Sequence, residues 1–198
     1  AKPLLRMRAF ELATDAGKLD ADAYVVALGP QAAAFGRALG RRVPMYPVKG
    51  FSLTVPVRDA SKVPQRGGIC EDSLIAWCPL TTVRGPVMRI TTGAVFCGDD
   101  NRYQDTDFVA HRRHFEALFP GALDWDHPAV EHWACQRPMT PSTLPIIGRD
   151  AAHPKLYWNC GQGHIGWTMS CGSGRVLADL IAGRTPSFAL GDMQRMAT

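Results

Sequence analysis

Lys155-Leu-Tyr-Trp-Asn-Cys160, Gly161-Gln-Gly-His-Ile-Gly166 and Trp167-Thr-Met-Ser-Cys-Gly-Ser-Gly174 follow one another without a break. The first run reads as a short buried strand and the second as a glycine-rich turn. The third opens a helix that runs to Ala182 and is closed by Gly183. Gly161-x-Gly163-x-x-Gly166 therefore sits in the strand–turn–helix setting that a dinucleotide-binding turn requires. Glycines let backbone approach a ligand, and a helix N-terminus presents unpaired N–H groups at a positive dipole end. A stand-alone Rossmann unit does not fit, because its helix leads to a second parallel strand with an acidic residue about 20 positions on. Here the helix leads only to Ser187-Phe-Ala-Leu190. Gly172 and Gly174 lie inside the helix, each at a cost of about 1 kcal/mol relative to Ala. They predict a helix pressed closely against a sheet or a bound ring system.

Upstream of this block, Arg137-Pro-Met-Thr-Pro141 and Leu144-Pro-Ile-Ile-Gly148 form a proline-fixed connector that holds Arg137 rigidly at a boundary between layers. Between Val48 and Cys135 the character differs. Phe51–Val57, Gly68–Cys70, Leu74–Trp77, Val87–Ile90 and Val130–Cys135 are short strand-like runs separated by Pro, Gly and Asp. Closely spaced strands with little helix between them predict an antiparallel sheet. One helix interrupts them, from a cap at Asp105-Thr-Asp107 to Pro120-Gly121, with Phe108, Phe115, Leu118 and Phe119 as its apolar face.

Nearer the start, Leu4 to Leu12 alternates as a strand and turns at Thr14-Asp-Ala-Gly17 into a hairpin. Tyr24-Val-Val-Ala-Leu28 is a buried strand, and Gln31 to Leu39 an Ala-rich helix stopped by Gly40. A complete domain seldom begins with a hairpin in progress, so the expectation is that the chain is a piece. The fold class expected is α+β: an antiparallel sheet (48–136) inserted into an α/β domain formed by 1–47 and 137–198.

Composition narrows the function. The 198 residues are 46% hydrophobic and 20% charged with a net charge of +4, which excludes disorder, coiled coil and collagen. Tyr24 to Phe35, the most apolar stretch, is far short of a membrane span, and no signal peptide is visible. Six cysteines show no Cys-x-x-Cys spacing, and Cys70, Cys135 and Cys160 lie in apolar runs where a thiol packs as a small hydrophobe. A reducing compartment is expected. No metal site is expected: His111 and His114 share helix spacing, but Arg112 and Arg113 would repel a cation, so the pair reads as a solvated face. Gly172-Ser-Gly174 is not a hydrolase elbow. Five scattered tryptophans and the short Arg41-Arg42 run give no nucleic-acid surface. Lys49-Gly50 reads as a plain turn, a hinge or a cofactor-side contact.

Taken together, the Arg137–Pro141, Leu144–Gly148 and Asn159–Gly174 motifs resemble the C-terminal portion of D-amino-acid dehydrogenases, within the FAD-dependent D-amino-acid oxidase and glycine oxidase superfamily. Ala21–Pro30 is similar to that family's second flavin-domain strand and turn, and Tyr46–Gly50 with Phe51-Ser-Leu-Thr54 to its crossover into the substrate domain. The resemblance covers nearly the whole chain. It implies an FAD-dependent oxidoreductase that deaminates a D-amino acid by hydride transfer to flavin, with quinone or oxygen as electron acceptor. Residues 1–47 and 137–198 would be the C-terminal part of the FAD-binding domain, and 48–136 the substrate-binding domain.

The resemblance also assigns residues. Arg137 matches the arginine that grips the substrate carboxylate, and its planar fork fixes orientation as Lys cannot. Gly161, Gly163 and Gly166 would let the turn approach the flavin ring. The N–H groups of Trp167 and Thr168 would face the flavin edge where negative charge develops. Gln162 stands where relatives usually carry His, and His164 stands where they vary, which makes His164 a candidate for tuning substrate choice. Nothing here matches the pyrophosphate-binding half, so the resemblance implies a partner for it in cis or in trans, and a chain that alone lacks FAD and activity. The alternatives are a glycine/sarcosine or D-hydroxyproline-type oxidase or dehydrogenase, and a non-catalytic subunit. The location expected is cytoplasmic, with a peripheral seat on the inner face of a bacterial membrane as the variant.

Overall fold

The computed structural model describes residues 12–195, and the chain divides into two compact units. One unit comprises the residues up to Pro47 and those from Arg137; the other is Val48–Gln136. The architecture is mixed α and β. Of the strand expected over Leu4–Leu12, only Leu12 lies within the described residues.

The first unit opens with a hairpin, β1 (Leu12–Thr14) and β2 (Gly17–Leu19), turned by Gly17 at φ +117°. Its main sheet has the order β3-β10-β9, from Tyr24–Val26, Leu156–Cys160 and Ile146–Arg149. β10 runs parallel to β3, with Trp158 opposite Val26, and antiparallel to β9. Helix α1 (Ala32–Ala38) covers one face, where Val26, Ala32, Ile146, Leu156, Trp158 and Cys160 pack together. Helix α3 (Gly166–Ile181) covers the other through Val176 and Leu177 against Ile147 and Tyr157, with Leu190 alongside. A sheet covered on both faces needs strands that are apolar throughout, and Leu156-Tyr157-Trp158 is such a run. A last helical turn, α4 (Asp192–Arg195), follows.

Asp150 is the polar anchor of this unit. Its buried carboxylate accepts hydrogen bonds from Trp158 Nε1 (2.9 Å), Arg41 Nε (3.1 Å), and the Ala152 and His153 backbone N–H groups (3.0 Å each). His153 Nδ1 lies 2.9 Å away and must carry the proton, since a carboxylate only accepts. Burial pushes the Asp150 carboxyl up, but these donors and the Arg41 charge outweigh it and hold it below the usual carboxylate value.

The second unit is a five-stranded sheet of order β5-β6-β7-β4-β8, antiparallel from β5 through β4. Its strands are β4 (Tyr46–Pro56), β5 (Gly68–Cys70), β6 (Ile75–Thr82), β7 (Gly85–Val95) and β8 (Glu131–Met139). Helix α2 (Thr106–Leu118) packs Phe108 and Phe115 on one face, against Leu53, Val55, Ile75, Met88 and Ile90. Leu118, expected on the same apolar face, is instead exposed, because Phe119 beyond the helix end packs against the core. β8 continues past the expected Cys135 to Met139 and contains Pro138, which an edge strand tolerates because its missing N–H breaks no ladder bond.

Two further expectations are corrected. Lys49-Gly50 is no plain turn: it lies inside β4, where the register with β7 shifts between Lys49 and Phe51. Lys49 is buried, donates to the Arg102 carbonyl at 2.9 Å and sits 5.8 Å over the Phe51 ring. His111 is not on a solvated face either. Its Nδ1 is 3.0 Å from the Thr92 hydroxyl and its ring lies 6.1 Å from that of Phe51, so burial pushes its pKa down.

Candidate functional site

The residues read as a site from the sequence, Arg137, Gly161, Gly163, His164, Gly166, Trp167 and Thr168, all fall in the first unit. β10 ends at Cys160, and the chain must reverse within a few residues to enter α3. Gly161 (φ +78°) and Gly163 (φ +60°) supply the left-handed backbone that this needs. Their close neighbours are protein atoms. A Cβ on Gly161 would lie 2.6 Å from Thr140 Cγ2, and one on Gly163 3.1 Å from Met139 Sδ. Gly166 is less constrained, with Gln162 Cβ at 3.5 Å.

The turn is tied to the strand that carries Arg137. The Gly163 N–H donates to the Pro138 carbonyl at 3.1 Å, one residue beyond Arg137. Thr140 donates its hydroxyl to the Leu144 carbonyl (2.8 Å) and accepts the Thr143 N–H at its own carbonyl (3.1 Å). The Arg137 side chain is half-buried on β8. Structure thus brings the Arg137 strand end and the glycine turn together through backbone. The tie through Pro138 and Met139 was not legible in the sequence, which shows the two segments 24 or more positions apart.

At the head of α3, Ile165 takes the N-cap position and offers no side-chain cap. The first N–H groups of a helix have no intrahelical acceptor, so those of Gly166, Trp167 and Thr168 are unpaired at the positive end of a 16-residue helix. His164, Ile165 and Thr168 are exposed, and Trp167 is 95% exposed. An open, uncapped helix start beside a tight glycine turn is suited to an electron-rich ring edge or an oxyanion, and these residues fit a flavin in that respect. Gln162 spans back inside the turn, donating through Nε2 to Asn159 Oδ1 at 2.6 Å.

The sheet contact expected at Gly172 and Gly174 of α3 is not found among the described residues. A Cβ on Gly172 or Gly174 would meet nothing within 4 Å, and both residues are exposed. No sheet among the described residues presses on them; α3 packs through Val176 and Leu177 on its other face. Cys160, beside the turn, is fully buried, and burial pushes its thiol up to about 12. It is a packing residue, not a nucleophile.

Comparison with known proteins gives the family. Residues 4–180 match the family described as DAO, FAD dependent oxidoreductase. The chain is 44% identical over 175 residues to D-amino acid dehydrogenase 2 of Mesorhizobium japonicum, covering 88% of this chain and 40% of that protein. It is 40% identical over 188 residues to the D-amino acid dehydrogenase of Methylobacterium radiotolerans, covering 95% and 43%. The chain thus spans about two-fifths of the length of these relatives. Among solved structures, it is similar to glycine oxidase from Geobacillus kaustophilus, with TM-score 0.76 and 25% identity over 93% of this chain and 48% of that one. Iminodiacetate oxidase from Chelativorans shares the fold at TM-score 0.76 and 22% identity, over 93% of this chain and 49% of that one.

Proposed function

Because the chain belongs to the FAD-dependent oxidoreductase (DAO) family, we propose that it is the part of a D-amino-acid dehydrogenase that orients the substrate and borders the flavin ring. The observation that carries this reading is the uncapped start of α3, tied through the Gly163–Pro138 hydrogen bond to the strand end bearing Arg137. The identity of 40–44% to proteins named D-amino acid dehydrogenase supports the substrate class. Residues 48–136 would form the substrate-binding domain, and the rest of the chain the C-terminal part of the FAD-binding domain. The flavin-pyrophosphate half would come from elsewhere, in cis or in trans.

In the complete enzyme, flavin supplies the two-electron acceptor for the substrate Cα hydride. This chain's residues do the positioning. Arg137 offers two parallel N–H donors to the substrate carboxylate, which fixes the molecule in position and rotation. The Gly161–Gly163 turn makes the tight reversal that would bring the head of α3 to the ring, where the Trp167 and Thr168 N–H groups would stabilise negative charge at its edge. His164, exposed between them, contacts the substrate side chain and tunes choice among D-amino acids. The acceptor that reoxidises the cofactor would be a quinone or oxygen. Among the described residues no helix is long and apolar enough to cross a membrane.

The test is anaerobic mixing of the complete flavoenzyme with D-alanine, L-alanine, glycine, sarcosine and D-hydroxyproline. Bleaching of the flavin by D-alanine alone, or far faster than by the others, is expected. Preferential bleaching by glycine or sarcosine would replace this reading with an oxidase of the glycine type. In the same enzyme Gly163→Val should lose flavin while the fold survives, since a branched side chain at φ +60° displaces the turn.

A further inference from the structure

The five-stranded sheet buries one face under α2, and strand alternation sends a second set of side chains to the opposite face. There Ser52 and Thr54 on β4, Arg89 on β7, and Glu131 and Trp133 on β8 border a cavity of about 400 Å³. His132 borders it through its backbone, since its ring turns to Phe108 on the α2 side, 4.5 Å between centroids. The volume falls in the range of small-molecule sites.

Three observations mark it as a built site. First, the Arg89 guanidinium lies 5.7 Å over the Trp133 ring, and no carboxylate among the described residues pairs with it. An arginine stacked on an indole is held in one orientation with its N–H fork free. Second, Ser52 is only 3% exposed, yet its hydroxyl makes no hydrogen bond to any described residue and borders the cavity. Its Oγ is not among the sealed-off polar atoms that lack a partner, so it opens to the cavity and can exchange water for a ligand. Third, Thr54 stands directly opposite Arg89 in the β4–β7 register, and Ser52 opposite Thr91. Two hydroxyls and a guanidinium therefore share one face of adjacent strands. Glu131 borders the same space with the opposite charge. It disfavours a polyanion and offers an acceptor to a cationic amine.

We propose that this pocket binds a small amine-bearing carboxylate, with the carboxylate on Arg89, Ser52 and Thr54 and the ammonium toward Glu131. The site goes beyond the flavin-side reading above and does not depend on it. The ligand is an effector of amino-acid chemistry, distinct from the substrate whose carboxylate is assigned to Arg137.

The probe is 4-aminobutyrate, which carries both groups but no α-amine to oxidise, titrated calorimetrically into the full chain with folding checked by circular dichroism. Saturable one-site binding at millimolar concentration or tighter is expected. Arg89→Gln should weaken it at least tenfold and Ser52→Ala about threefold. Glu131→Gln should abolish the preference for 4-aminobutyrate over butyrate. If Arg89→Gln fails to fold, Arg89→Lys, which keeps charge but loses the stacked fork, should give an intermediate loss. In the complete enzyme 4-aminobutyrate should leave the KM for D-alanine unchanged; competitive inhibition would make the pocket the substrate's own seat and overturn the proposal. No saturable heat, or equal affinity in wild type, Arg89→Gln and Ser52→Ala, overturns it. Because the readout is binding, failure here is separable from failure of the dehydrogenase reading.

Discussion

In the three-stranded sheet helices cover both faces, and the buried carboxylate of Asp150 is met by an indole, a guanidinium, an imidazole and two backbone N–H groups. In the five-stranded sheet the unit's own helix covers one face, and on the other the Ser52 hydroxyl, open to the cavity, has no protein partner among the described residues. The two sheets use polar groups for opposite ends. Where every donor and acceptor is matched, burial of a charge fixes a unique arrangement of β9, β10 and the chain near Arg41. Where polar groups lack protein partners beside a cavity, they stay open to water or to a ligand. α3 shows the same contrast within one helix: Val176 and Leu177 are sealed against the sheet, and Gly172 and Gly174 face open space.

Removing the matched carboxylate should have the largest effect. Asp150→Ala orphans the buried Trp158 indole N–H and leaves Arg41 uncompensated, at a cost of about 3 kcal/mol. Urea denaturation should show this as a lower midpoint with an unchanged slope. Ser52→Ala, by contrast, should leave the midpoint within about 0.5 kcal/mol of wild type, because no hydrogen bond in the described structure is lost. If the two variants were equally destabilised, the contrast between the sheets would fail.

Gly161→Ala comes next. The backbone at φ +78° penalises any L side chain by about 1–2 kcal/mol, and the added Cβ meets the buried Thr140 at 2.6 Å. About 2 kcal/mol or more should be lost. Gly163→Ala should cost less, because the flexible Met139 side chain can give way. Thermal melts of the pair read the difference directly.

The acid limb of stability is a smaller test. A carboxyl held below its ordinary value contributes stability that is complete above about pH 4 and lost as pH falls through its folded value. Asp150 is such a group, as are Asp179 beside Arg184 and Asp100, which is lowered to about 2 beside Arg102. Denaturation midpoints measured from pH 5 to pH 2 should therefore decline in the wild type. In Asp150→Asn the decline should be shallower, and an unchanged slope would mean that Asp150 does not carry the charge assigned to it. The smallest effect has the opposite sign. Gly172→Ala and Gly174→Ala should each stabilise the protein by about 0.5–1 kcal/mol, since nothing stands within 4 Å of the new methyl.

What the sequence made legible follows from the range of the forces involved. The β10–turn–α3 block was readable because its signals are local: an apolar run, glycines at reversals and Gly183 at φ +68° to end the helix. β9 was read only as a proline-fixed connector, because four residues between Pro145 and Arg149 become a strand only by pairing with β10, a partner the local pattern cannot announce. Gly172 and Gly174 suggested a close approach but not its partner, since a helical glycine permits contact without saying whether a sheet or a bound ring makes it. On the site, the glycines and Arg137 stood out as residue types. The Gly163–Pro138 tie did not, being a backbone contact across distant sequence. Ser52, Arg89 and Trp133 come from three strands, and only the register of the sheet sets them side by side.

The central claim is that Arg137 clamps the substrate carboxylate beside the cofactor turn. Rapid mixing of D-alanine with the complete flavoenzyme carrying Arg137→Lys tests it most directly. Lysine keeps the charge but loses the bidentate fork, so flavin reduction should slow about tenfold to a hundredfold, as expected from about 1.5–3 kcal/mol of lost charge-assisted bonding. Flavin content should stay at the wild-type level, because the turn that borders the ring is untouched. Reduction at the wild-type rate would place the carboxylate on another residue and leave Arg137 with a structural part only.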